Sequence, residues 1–306
     1  PTISAMSAKK LSHDAKWPRA NSLFLPHVKE SHVALVGVPA HKTSLSKTNA
    51  HKTPAAIREA LARYSSYAAS RGVDLRNLTC ADLGDIEAPD FAAGETKVAK
   101  ALRGALSAHQ MLIAFGGDNS ITYSVASALF PDLSKIGIVT LDAHHDLRDG
   151  ESNGSPIWRL LQAGVPGKNI VQVGINDFAN SREYTERARD YGITVINRSE
   201  LKKKSPEAIM KSALKIAGKG ARDIYVDLDV DVCDRSVVPA CPAAMPGGIS
   251  ADELREFAFL AGAHNQVRAI DITEIDATID SEDQRTIRLA ALLVLEATAG
   301  FATRSK

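Results

Sequence analysis

Asp142, His144 and Asp146 stand at alternate positions in the run Leu141-Asp142-Ala143-His144-His145-Asp146. The apolar residues just before it, Ile136-Gly137-Ile138-Val139-Thr140, read as a buried strand. An extended backbone sends alternate side chains to one face, so two carboxylates and an imidazole would converge if the strand continues. Carboxylates that close repel one another unless a cation lies among them. A divalent metal is therefore the natural guest. The bland reading is a solvated turn. His145, on the opposite strand face, reads as a packing or supporting residue rather than a ligand.

Three more strand-like runs end in the same way. Phe115 leads into Gly116-Gly117-Asp118-Asn119-Ser120, Val226 into Asp227-Leu228-Asp229-Val230-Asp231-Val232-Cys233-Asp234, and Ile272 into Thr273-Glu274-Ile275-Asp276. In a parallel sheet the carboxyl ends of the strands share one edge, where ligands bind. Each run alone has a structural explanation, because Asp and Asn cap following helices and Gly-Gly makes a turn. Asp118 and Asp234 fit that explanation; four acidic strand ends together do not. Oxygen donors with one imidazole and no thiolate suit Mn²⁺ or Mg²⁺ better than Zn²⁺, and the histidine favours Mn²⁺. The amount of negative charge calls for two ions. Ions about 3.5–4 Å apart share a bridging hydroxide, a nucleophile available at neutral pH, which makes hydrolysis the expected reaction.

The elements that must position these groups follow an alternating rhythm. Strands are predicted over 32–37, 78–83, 111–115, 136–141, 169–174, 192–197, 223–228 and 267–272. Helices are predicted over 54–64, 95–110, 120–129, 155–162, 181–190, 206–217, 251–261 and 281–298. Short, nearly continuous apolar strands separated by helices describe a parallel sheet covered on both faces. About eight strands make a single α/β domain of residues 31–306, after an N-terminal extension of residues 1–30. On this pattern alone a closed (β/α)₈ barrel is the topological alternative.

Composition narrows the partners. The chain of 306 residues has a formal net charge of +1, with 44% hydrophobic and 24% charged residues. These ordinary globular values give no sign of nucleic-acid or membrane-surface binding, and the expected partner is a small molecule. Lys202-Lys203-Lys204 is the one basic run and reads as a solvated helix start. Cys80, Cys233 and Cys241 form neither a metal spacing nor a disulfide framework, which fits a reducing cytoplasm. Cys233 and Cys241 read as packing residues. The polar N-terminus lacks the apolar core of a secretory signal, and no apolar run approaches the roughly 20 residues of a membrane span. A soluble, cytoplasmic protein is expected.

The four runs, in their order, resemble the four signatures of the ureohydrolase (arginase/agmatinase) family over residues 33–301. The resemblance implies a three-layer α/β/α fold with a central, mostly parallel sheet rather than a barrel. It implies two Mn²⁺ ions per subunit and a homo-oligomer, trimeric or hexameric. It also implies that Asp142 and Asp229 bridge both ions, with Asn119 and Asp146 completing one and His144 and Asp231 the other. Glu274 would hold the cationic amidine or guanidine group, and Asp146 would move the proton. Asp227 is an extra acid before the ligand pair.

Two departures from the family pattern stand out. Asn119 occupies a usual histidine position, and an amide oxygen is the weaker donor, so that ion is expected to be weakly held. The loop Arg148-Asp149-Gly150-Glu151-Ser152-Asn153-Gly154-Ser155-Pro156 lacks the family's loop histidine. This loop and Gly174-Ile175-Asn176-Asp177-Phe178 are similar to the formimidoylglutamase branch, which acts in histidine degradation. The branch hydrolyses N-formimidoyl-L-glutamate to L-glutamate and formamide. Arg148, Asn153 and Ser155 are then candidates for binding the substrate, with Arg159 a weaker one. The alternatives are a guanidino-acid hydrolase or agmatinase releasing urea, and a non-catalytic relative, which Asn119 motivates.

Overall fold

The computed structural model describes residues 14–305; residues 1–13 of the expected extension lie outside it. The strands are β1 (Phe24–Leu25), β2 (Ser31–Val38), β3 (Tyr67–Ala68), β4 (Val73–Asp74), β5 (Cys80–Asp85), β6 (His109–Gly116), β7 (Ile136–Leu141), β8 (Ile170–Ile175), β9 (Thr194–Asn197), β10 (Asp223–Asp229) and β11 (Val267–Thr273). Nine of them form one parallel sheet in the order β1-β5-β2-β6-β11-β10-β7-β8-β9, and β3 and β4 pair apart from it. All eight expected strands are present. The ninth is β1, from the stretch read as an extension, whose Phe24 and Leu25 pair with Cys80 and Ala81. Among the described residues the sheet is open, running from β1 to β9 without closing, so the barrel alternative is excluded.

Ten helices accompany the sheet among the described residues: α1 (Thr53–Leu61), α2 (Phe91–Leu102), α3 (Ala105–Ala108), α4 (Ile121–Leu129), α5 (Pro156–Gln162), α6 (Arg182–Asp190), α7 (Arg198–Leu201), α8 (Pro206–Ala217), α9 (Ala251–Ala263) and α10 (Arg285–Ala302). One core packs α1, α8, α9 and α10 against Val139, Val226, Leu228 and Ile270. A second packs α2, α4, α5 and α6 against Leu112, Ile138, Tyr225 and Ala269. Along β10 the side chains alternate between them, which sends Asp227 and Asp229 to the same face as Tyr225. The architecture is the expected three-layer α/β/α.

Two predicted helices have bounds other than expected. The 95–110 segment breaks at Gly104, whose φ of 73° suits a residue without Cβ, and strand begins at His109. The closing helix starts at Arg285 rather than 281, because Asp280 accepts from the Thr286 hydroxyl at 2.9 Å and from Ile287 N at 3.0 Å. No helix among the described residues is long and apolar enough to cross a membrane.

Candidate metal centre

The four runs singled out by their acids follow β6, β7, β10 and β11, which are the adjacent central strands β6-β11-β10-β7. Because these strands are parallel and in register, their carboxyl ends meet. Leu228 pairs with Leu141 and Asp229 with Thr273, so Asp142, Asp229 and Glu274 leave the sheet at one level. Gly117 lets the loop after β2 cross this edge: a Cβ there would lie 1.6 Å from Ala40 O. Asp146 (φ 52°) and Glu274 (φ 62°) both hold left-handed backbone, which non-glycine residues adopt at a cost and which clusters at functional sites.

Asp142, His144 and Asp231 bring ligand atoms within 4.8 Å of one another, the one such His/Cys/Asp/Glu group among the described residues. His144 Nδ1 lies 2.6 Å from Asp231 Oδ2 and 3.6 Å from Asp142 Oδ1. Asp231 also accepts from Ala143 N at 2.9 Å, Asp142 from His144 N at 2.5 Å, and Asp229 from Asp231 N at 2.8 Å. Glu274 Oε1 accepts from Asn119 N at 2.8 Å and from the Asn153 amide at 2.7 Å.

Burial and like charge act on the acids together. Burial first, then the Asp146 and Asp231 carboxylates, pushes Asp142 well above the usual carboxylate range. Burial and Asp231 do the same to Asp229. Burial lifts Asp146 to about 7 against the pull of His144, and burial with Asp118 behind it lifts Glu274 to about 8. Burial opposes charge on His144, but Asp231 and Asp142 outweigh it and raise the imidazole to about 12. A proton on His144 is thus the cluster's own cation. Asp142 Oδ2 is buried with no hydrogen-bond partner. Oxygen donors, one imidazole and an orphaned carboxylate oxygen fit a hard divalent cation.

Asn119 is tied differently. Its amide nitrogen donates to Asp146 Oδ2 at 2.5 Å, while its oxygen lies 2.9 Å from the hydroxyls of both Thr122 and Thr273. Thr122 has one hydroxyl hydrogen, and the Asp271 carboxylate lies closer to it, at 2.7 Å. The Asn119 oxygen is thus turned toward Thr273 and Thr122, and its nitrogen toward Asp146. An oxygen facing Asp146 would need a proton or a cation between them.

Asp146, Asp229, Asp231 and Glu274 line the base of a cleft of about 330 Å³, and Asp142 and Asn119 lie buried outside its lining. Arg148 is exposed at its wall, and its side chain runs past Gly154, where a Cβ would meet Arg148 Cδ at 2.8 Å. Asn153 also lines it, and accepts from Leu45 N at 2.9 Å. Two candidates are corrected. Ser155 does not line the cleft; it is fully buried, with its hydroxyl 3.0 Å from that of Ser152. Arg159 pairs with Glu95 and stacks on Tyr123, away from the cleft. His145 packs in the interior against Gln172, and Cys233 and Cys241 are buried free thiols. Asp227 is buried beside Asp271 and Thr273, outside the cleft lining. Asp118 and Asp234 cap their own turns through Ser120 and Ser236.

Sequence reasoning missed Leu45 and Ser46 on one wall, and Asn180, Ser181 and Tyr184 on the other. The first pair gives no local chemical signal. The second group lies just beyond the Gly174–Phe178 run, whose resemblance pointed to this segment without reaching it.

The Arginase family model matches residues 31–300. The formimidoylglutamase of Halalkalibacterium halodurans is 33% identical over 280 residues, covering 89% of this chain and 88% of that protein. The crystal structure of formimidoylglutamase from Bacillus subtilis superposes with a TM-score of 0.91 at 30% identity, covering 100% of this chain and 97% of that one. Trypanosoma cruzi formiminoglutamase with Mn²⁺₂ superposes with a TM-score of 0.85 at 28% identity, covering 94% of this chain and 100% of that one. With matching sequence, fold and acidic strand ends, the chain belongs to the arginase family.

Proposed function

We propose that this protein hydrolyses N-formimidoyl-L-glutamate to L-glutamate and formamide. The carrying observation is the polarity of the cleft. Its acids are confined to the basal cluster of Asp146, Asp229, Asp231 and Glu274, and Arg148 stands on the wall. An amidinium is complementary to the base and the glutamate carboxylates to the arginine. Agmatine would instead need acids near its distal amine, and the outer lining residues Leu45, Ser46, Ser181 and Tyr184 supply none.

Asp142, His144, Asp146, Asp229 and Asp231 would hold two Mn²⁺ ions, with Asn119 completing the more weakly held one. Bound there, the ions would activate water and stabilise developing negative charge. Glu274, aimed by Asn119 N and the Asn153 amide, holds the amidinium. Water adds to the amidine carbon, Asp146 takes its proton and delivers it to the leaving glutamate nitrogen, and the C–N bond breaks. Three free cysteines fit a reducing, cytoplasmic compartment. A homotrimer or hexamer is the assembly to seek by sedimentation.

The test is a product assay on Mn²⁺-reconstituted protein with formimidoylglutamate, agmatine, arginine and guanidinobutyrate offered separately. Glutamate and formamide from the first alone are expected. Urea from a guanidino compound would replace this reading with the ureohydrolase one, and inactivity on all four would favour a non-catalytic relative.

A further inference from the structure

We infer that Asn180 is a positioning residue for His144, acting through the peptides on either side of it. The Asn180 oxygen accepts from His145 N at 2.8 Å, and its amide nitrogen donates to Ala143 O at 3.0 Å. One side chain therefore brackets the residue between them, using an acceptor and a donor that asparagine carries together. This inference rests on the reading of His144 as a metal ligand.

The other bonds to this turn explain why a neutral bracket matters. Ala143 N and His144 N are held by Asp231 and Asp142, the carboxylates that would take up a cation. Asn180 carries no charge and is not among the ligand candidates, so its two bonds hold the His144 backbone whatever those carboxylates bind.

Asn180 is itself anchored. Asn176 N also donates to Ala143 O, at 3.0 Å, so a short loop is pinned to the turn at both ends. At its apex Phe178 is fully exposed with a φ of 65°. A left-handed backbone at a bulky residue persists only where its surroundings determine it. The loop's shape is thus set by its attachment to the His144 turn, and Asn180 and Tyr184 line the cleft beyond it.

The test is calorimetric Mn²⁺ titration of the native chain, Asn180→Ala, Asn180→Asp, His144→Ala and the His144→Ala/Asn180→Ala double variant, with thermal melting of each metal-free form. Both Asn180 variants should bind Mn²⁺ about 10- to 100-fold more weakly, the usual cost of losing a partner that orients a ligand, while the metal-free forms stay folded and melt cooperatively, somewhat below native. In the His144→Ala background Asn180→Ala should add less than about threefold, because the positioned ligand is gone. Native affinity in either folded Asn180 variant, or an equal loss in both backgrounds, overturns the positioning role and leaves His144 as a ligand. Native affinity in His144→Ala overturns the ligand reading, and the role of Asn180 with it.

Discussion

The two edges of the sheet carry hollows of very different character. At the amino edge a cavity of about 930 Å³ is lined by His32, Gln110, Arg268 and Arg304; the carboxyl-edge cleft holds about 330 Å³. The larger hollow is also charged, yet its cations are spent on the backbone. Arg268 donates to Gln110 O and Leu106 O, and Arg304 to Gly262 O and Val267 O. These bonds tie the ends of helices and strands together. At the carboxyl edge the charged groups face one another across shared space and leave Asp142 Oδ2 unpartnered. Convergent, unsatisfied charge marks the candidate site, and volume does not.

The sharpest way to break this contrast is Asp142→Asn. Activity on the preferred substrate should fall by about three orders of magnitude, the scale of lost acid–base and electrostatic catalysis together. The metal-free variant should melt no lower than the native chain at pH 8, because an acid whose ionisation burial and its neighbours oppose has been replaced by a neutral amide. Steady-state kinetics and calorimetry check the two halves.

The pH dependence of stability is the next test. Asp146 and Glu274 have folded-state values near 7 and 8, above their ordinary values of 3.8 and 4.5. The folded chain therefore binds more protons than the unfolded chain between those limits. Their stabilising contribution is complete below about pH 4 and is lost as pH rises through 7 and 8. Measured on metal-free protein from pH 5 to 8, the melting temperature should fall through this contribution. Added Mn²⁺ should stabilise more as pH rises, since its ligands must lose protons to bind it. A flat metal-free profile with no Mn²⁺ response would erase the difference between the edges.

A smaller effect belongs to Arg148→Ala. It should raise KM about tenfold with little change in kcat, as expected for a group that binds the substrate tail equally in ground and transition states. The smallest catalytic effect is expected at the other edge. Arg304→Met should leave kcat/KM unchanged and lower stability by about 1–3 kcal/mol, the scale of lost charged hydrogen bonds, read by denaturant unfolding.

The eight principal strands were legible because short apolar runs bounded by polar ones are local signals. The short β1 was not, since two residues at a sheet edge carry no periodicity. Asp142, His144, Asp146, Asp229, Asp231 and Glu274 were legible as types at strand ends, where solvated carboxylates gain least from clustering. Ser155 and Arg159 looked equally able to meet a substrate. The fold turned one inward to Ser152 and paired the other with Glu95. Asn180 had no local signal at all, because its partners lie 35 and 37 residues away.

What the chain's own order determined is the alternation of strands and helices and the acids placed where strands end. Side-chain periodicity and helix-breaking glycine act over a few residues, so they can be read along the chain. Only the tertiary structure decided that β6, β11, β10 and β7 lie side by side, and that Asn119 meets Asp146 while Asn153 meets Glu274. Those pairings arise from strand order and register, set by two cores packing simultaneously on opposite faces of one sheet.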